Sequence, residues 1–139
     1  MNNNENEGLR WFLQGRRDGR TAKRNADNAD YEVACFLFQQ GAEKVLKAFL
    51  FLKGERAILS HSTLKIAEQC NSYDSHFKAI FEACEQLDIF YIPTRYPNGI
   101  PDGVPYEFFK KHHAVTGQHA YSRIFDLVSP YFSSLADSH

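Results

Sequence analysis

Residues 28–53, NADYEVACFLFQQGAEKVLKAFLFLK, contain no proline and carry two neighbouring apolar stripes at steps of three and four. One runs Val33, Leu37, Gly41, Val45, Ala48, Leu52; the other runs Ala34, Phe38, Ala42, Leu46, Phe49. Two adjacent stripes make a wide buried face, the pattern of a central bundle helix rather than of a strand. Asn25, Asp27 and Asn28 offer N-caps before it, and Gly54 offers a stop behind it. Gly41 in mid-helix costs about 1 kcal/mol relative to alanine, which points to another backbone passing close by.

Working outward, Gly8–Lys23 carries Trp11, Phe12, Gly15, Gly19 and Ala22 on one side, small enough in places for a partner helix to approach closely. Ser62–Asn71 reads as a short amphipathic helix through Leu64, Ala67 and Cys70. From Ser75, an expected N-cap, Phe77, Ile80, Phe81, Cys84, Leu87 and Tyr91 recur at helical spacing. Four of the five prolines then cluster at Pro93, Pro97, Pro101 and Pro105, which marks a loop of 13 residues. Tyr106–Tyr131 forms the last long helix, through Phe109, Ala120, Ile124, Leu127 and Val128. No stretch alternates for long enough to be a strand. The expected fold is all-α, a four- to five-helix up-and-down bundle with a proline-rich loop before the last long helix.

At 139 residues, 43% apolar and with a net charge of −1, the chain fits one domain with a real core. No apolar run approaches the roughly 20 residues that span a bilayer. The Asn/Glu-rich start is unlike a signal peptide, and the expected location is cytoplasmic. Three cysteines, Cys35, Cys70 and Cys84, without a C-x-x-C spacing read as small buried hydrophobes.

The chemistry on offer is anionic-ligand chemistry. Arg10, Arg16, Arg17, Arg20, Lys23 and Arg24 set six cations against one carboxylate, Asp18, over Arg10–Arg24. That run is either a phosphate-contacting face or an ordinary solvated one. Glu43 and Lys47 stand four apart in the order that favours a surface ion pair, with Gln40, Lys44 and Lys47 expected on the non-core side. Asp88 interrupts an apolar stripe, and Arg95 is the nearest downstream cation that could pair with it. Tyr91 and Tyr96 supply flat faces for stacking. His112, His113 and His119 show no metal-ligand spacing and read as exposed or capping, and no metal site is expected. On residues alone, function stays open between a ligand loop and a structural strap.

Three blocks taken together resemble the HEPN domain, the higher-eukaryote and prokaryote nucleotide-binding domain. They are Tyr31…Ala34-Cys35-Phe36…Gln39-Gln40…Glu43-Lys44…Leu46-Lys47-Ala48, then Ser60-His61-Ser62, then Leu87-Asp88…Tyr91-Ile92-Pro93-Thr94-Arg95-Tyr96-Pro97. The likeness is to stand-alone prokaryotic members and to the domain at the C-terminus of sacsin. It places a HEPN domain at 9–132, with flexible tails at 1–8 and 133–139. It implies a homodimer that binds a nucleotide such as ATP or GTP, with no cofactor required, beside a minimal nucleotidyltransferase partner. Lys44, Lys47, His61, Tyr91, Arg95 and Tyr96 are the implied nucleotide-binding residues, and Asp88–Arg95 the structural pair. Two alternatives follow from the same resemblance. One is a metal-independent ribonuclease toxin of a toxin–antitoxin pair, acting on RNA through an Arg-x4–6-His motif. Arg56 and His61 fit that spacing, but in the loop after the second helix instead of later in the domain. The other is a structural interaction subunit.

Overall fold

The computed structural model describes residues 1–136 as helices joined by turns, with no strand among them. In order they are α1 (Asn3–Asp27), α2 (Tyr31–Leu52), α3 (Thr63–Asn71), a 3-10 turn (Ser75–Ile80), α4 (Phe81–Asp88), α5 (Pro105–Phe108), α6 (Lys111–Val128) and α7 (Ser133–Ala136). Further 3-10 turns lie at Pro97–Gly99 and Ser129–Tyr131. The all-α bundle expected from the apolar spacing is what forms. No described helix is long and apolar enough to cross a membrane.

The connection between α1 and α2 is so short that the two helices lie side by side as a hairpin, with Ala29 in a left-handed turn at φ 65°. Their contact is a backbone contact. A Cβ on Gly15 would stand 2.8 Å from the Gly41 carbonyl oxygen, and one on Gly41 would stand 3.0 Å from that of Gly15. The close approach inferred from Gly41 is therefore made by α1. α2 ends at Leu52, and Gly54 supports the reversal with φ +98°.

The second stripe of α2 is the centre of the core: Ala34, Phe38, Ala42, Leu46 and Phe49 are all fully buried. The first stripe is less uniform, since Val33 is exposed and Leu37 half-buried. Phe49 meets Phe77 and Tyr131 at centroid distances of 4.6 and 4.8 Å, and Phe12 stacks on Phe132 at 4.8 Å. Each ring of that kind contributes roughly 1.5–3 kcal/mol by leaving water. Cys35, Cys70 and Cys84 are buried and unpaired. Burial pushes the thiols of Cys35 and Cys84 up to about 12 and raises that of Cys70 as well, so all three stay protonated.

Four boundaries differ from expectation. The polar start 1–8 is not a tail: α1 begins at Asn3, fixed by a capping box in which Asn2 and Glu5 bond each other's backbone amides. At the other end Phe132 is buried and Leu135 packs on the core, which holds α7 in place. The expected tail residues 137–139 lie outside the described residues. The helix expected from Ser75 to Tyr91 is a 3-10 turn capped by Asp74 followed by α4, which ends at Asp88. The helix expected over Tyr106–Tyr131 breaks at Phe109, whose extended backbone lets its ring bury against Phe90 at 6.0 Å. A new helix then starts at Lys111, with His113 Nδ1 accepting from the Lys110 amide at 2.9 Å.

Candidate functional site

The outward face of α2 carries Phe36, Gln40, Glu43 and Lys47, spaced four, three and four residues apart and so stacked along one side of the helix. Two chain segments fold back over this face. The first, between α2 and α3, brings His61; the second, between α4 and α5, brings Tyr91, Arg95 and Tyr96. Together they build a surface of stacked rings and polar side chains.

Glu43 and Lys47 are not the exposed pair that spacing suggests. Both side chains are 6% exposed, and Lys47 Nζ donates to Glu43 Oε2 at 3.0 Å. Trp11 of α1 covers the lysine, with the ammonium 5.7 Å from the ring centroid. The rest of the carboxylate is also occupied, because Gln40 Nε2 donates to Oε1 at 3.3 Å and His61 Nδ1 lies 3.3 Å from Oε2. A buried pair needs this full set of partners, since desolvating two charges is otherwise costly. Lys44 also meets α1, at a different residue: it bonds Asp18 Oδ2 at 2.7 Å while Gln14 bonds Oδ1 at 2.8 Å. Both lysines implied for the nucleotide are thus matched to carboxylates.

His61 is held from two sides. Its carbonyl accepts from Gln39 Nε2 at 3.0 Å, and its ring stacks on Tyr91 at 5.4 Å and 15°. Beneath it, a recess of about 160 Å³ is bounded by His61, Ser62, Asp88 and Tyr91.

Asp88 and Arg95 are not partners, which corrects the pairing read from the sequence. Asp88 closes the start of α3: Oδ1 accepts from the Thr63 amide at 2.8 Å and its hydroxyl at 2.7 Å, and Oδ2 accepts from Ser62 Oγ at 2.9 Å and the Leu64 amide at 3.1 Å. A carboxylate at a helix N-terminus satisfies orphan amides and meets the positive end of the dipole. Arg95 is held instead by its own loop and by rings. Its Nε and Nη2 donate to the Tyr91 carbonyl at 2.9 and 2.6 Å. The guanidinium carbon lies 4.5 Å from the Phe36 centroid, 4.6 Å from Tyr91 and 5.2 Å from Tyr96. No carboxylate among the described residues forms an ion pair with it. The buried Thr94 hydroxyl pins the same turn by donating to the Phe90 carbonyl at 2.6 Å.

The structure therefore divides the sequence-derived residues. It brings His61, Tyr91, Arg95 and Tyr96 together, joined by Phe36 and Glu43, which sequence reasoning does not select as site residues. Their signal is the shared face at 36, 40, 43 and 47. Arg56 goes elsewhere: it donates to the carbonyls of Phe51 and Glu55 and to Asn4 Oδ1, lies over Phe51, and shares no partner with His61. Among the described residues no group of three or more His, Cys, Asp or Glu is placed to hold a metal ion.

A family model for the HEPN domain matches residues 9–128. Among solved structures the chain is similar to TT1696 from Thermus thermophilus, at 30% identity and a TM-score of 0.84, covering 90% of this chain and 98% of that one. It is also similar to ST0689, an archaeal HEPN homologue, at 29% identity and a TM-score of 0.72, covering 90% and 97%. No curated protein matches.

Proposed function

The chain belongs to the HEPN domain family, and from that premise we propose a small dimeric module that holds a nucleotide or other phosphate ligand without transforming it, beside a minimal nucleotidyltransferase. The observation that carries this reading is Arg95, an exposed guanidinium fixed over three aromatic rings with no carboxylate to neutralise it. Guanidinium grips phosphate in a planar fork, and Tyr96, half exposed, gives a base a ring to lie on. His61 and Tyr91 complete the platform. Lys44 and Lys47 leave the proposed ligand set because their charges are already matched. Ile89 and Ile92, exposed on the same segment, support a dimer that covers this apolar edge.

Calorimetric titration with ATP and GTP, each with and without Mg²⁺, tests the reading. The expected result is micromolar affinity, about −8 kcal/mol, weakened roughly tenfold or more in Arg95→Ala. No heat and no thermal stabilisation at millimolar nucleotide would overturn it. Metal-independent RNA cleavage that disappears in His61→Ala would replace it with the ribonuclease reading.

A further inference from the structure

On another side of α1, where it faces α6, the molecule opens a cleft of about 220 Å³ that shares no residue with the Arg95 platform. Its shape comes from Gly19. A Cβ there would stand 2.3 Å from Tyr121 Cζ, so the tyrosine ring occupies space that only glycine leaves. Tyr121 Oη donates to the Gly15 carbonyl at 3.0 Å, which fixes the ring, and Phe125 stacks beside it at 5.8 Å and 20° and on Phe12 at 5.4 Å and 20°. These two rings form an aromatic floor.

The walls are charged. Arg16, Arg20 and Lys23 line the α1 side, a helical turn apart, and Gln118 and Ser122 line the α6 side. Lys23 is matched by Asp27 at 2.5 Å. The one acid within Arg10–Arg24, Asp18, is drawn to the α2 side by Lys44 and Gln14. Arg16 and Arg20 therefore have no carboxylate partner among the described residues. Arg16 rests 5.9 Å from the Phe12 ring instead. Burial raises the Tyr121 hydroxyl and the Asp18 carboxylate adds to that rise, while Arg20 and Arg16 lie close enough to oppose it.

An aromatic floor beneath two unmatched guanidinium groups selects for a ligand with both features. The volume falls short of the roughly 300–1,000 Å³ of pockets for drug-sized ligands, so it suits one ring with one charged substituent. Four residues of helix separate Arg16 and Arg20 by about 6 Å along the axis, close enough for both to reach one phosphate. We infer that this cleft binds a phosphate monoester carried on a flat ring, with Arg16 and Arg20 on the phosphate and Phe125 against the ring.

The test is calorimetric titration of the full chain with phenyl phosphate, 5′-AMP, inorganic phosphate and phenol, at low and raised salt. At this cleft one phosphate monoester per chain should bind with a Kd of about 1 mM or below, as a class separate from any 5′-AMP held by the Arg95 platform, more tightly than phosphate or phenol, and more weakly as salt rises. The stronger of phenyl phosphate and 5′-AMP tells whether the ring is attached directly or through a sugar. The double variant Arg16→Gln/Arg20→Gln should lose at least about tenfold in affinity, with the wild-type Tm retained because neither side chain is in the core. Arg95→Ala should leave this binding within about twofold, which separates its failure from failure of the platform described above. Absence of heat with both esters, equal binding of inorganic phosphate, or undiminished binding by the double variant would each overturn the inference.

Discussion

Lys47 and Arg95 both sit over the outward face of α2, four residues from Glu43 in one case and above Phe36 in the other, yet the fold treats them oppositely. Lys47 is buried under Trp11 and matched to a carboxylate that itself has three partners. Arg95 is exposed, held by a carbonyl and three rings, and matched to no carboxylate. A cation taken out of water must have its counter-ion, so the α1–α2 seam has no charge to offer a ligand. Rings hold a guanidinium in place without neutralising it, so the loop after α4 does. Proximity on one helix face says little about availability; the partner decides.

The largest effect should come from breaking the matched side. Glu43→Ala leaves the Lys47 ammonium buried alone and should cost about 3–5 kcal/mol, read from urea denaturation midpoints. A loss near zero would mean that Lys47 swings out to water and that the two cations are not so different. Asp88→Ala should come next, at about 1–3 kcal/mol in the same assay, because it strips the Thr63 and Leu64 amides of their acceptor. Arg95→Ala should cost less than about 1 kcal/mol, the scale of an exposed cation–ring contact. A larger loss would make Arg95 a structural strap and collapse the contrast with Lys47.

The smallest effect concerns pH. Burial first, and the neighbouring His112 second, hold His113 below its ordinary value. The folded state thus favours the neutral ring. Its stabilising contribution is complete above about pH 6.5, where the unfolded ring is also neutral, and is lost as pH falls through the folded-state value. Tm followed between about pH 7.5 and pH 5 should fall less steeply in His113→Gln than in wild type. An unchanged slope would show that His113 titrates as it does in the unfolded chain.

The helical hairpin is legible because apolar spacing and a mid-helix glycine are local signals, and Gly41 by itself implies a close neighbour. The boundaries are less so. Asn2 and Glu5 stand three apart in a capping box, but the surrounding run of Asn and Glu reads as a tail. Phe109 looks like a member of a helical stripe, and only tertiary burial draws it out into extended backbone. The site is half legible. His61, Tyr91, Arg95 and Tyr96 stand out in the sequence and do converge, whereas order along the chain pairs Asp88 with the nearest cation rather than with the helix start nearest in space. Glu43 and Lys47 have the spacing of a surface pair, and nothing local to them reveals that Trp11, far upstream, lies across the lysine.

The three cysteines have a practical corollary. All three are fully buried, and burial keeps each thiol protonated at neutral pH, so they offer almost nothing for maleimides or peroxide to attack. The native chain is in effect a cysteine-free background. Tyr96→Cys would install one reactive thiol beside the guanidinium, and a fluorophore placed there would report occupancy of the platform without any native cysteine having to be removed.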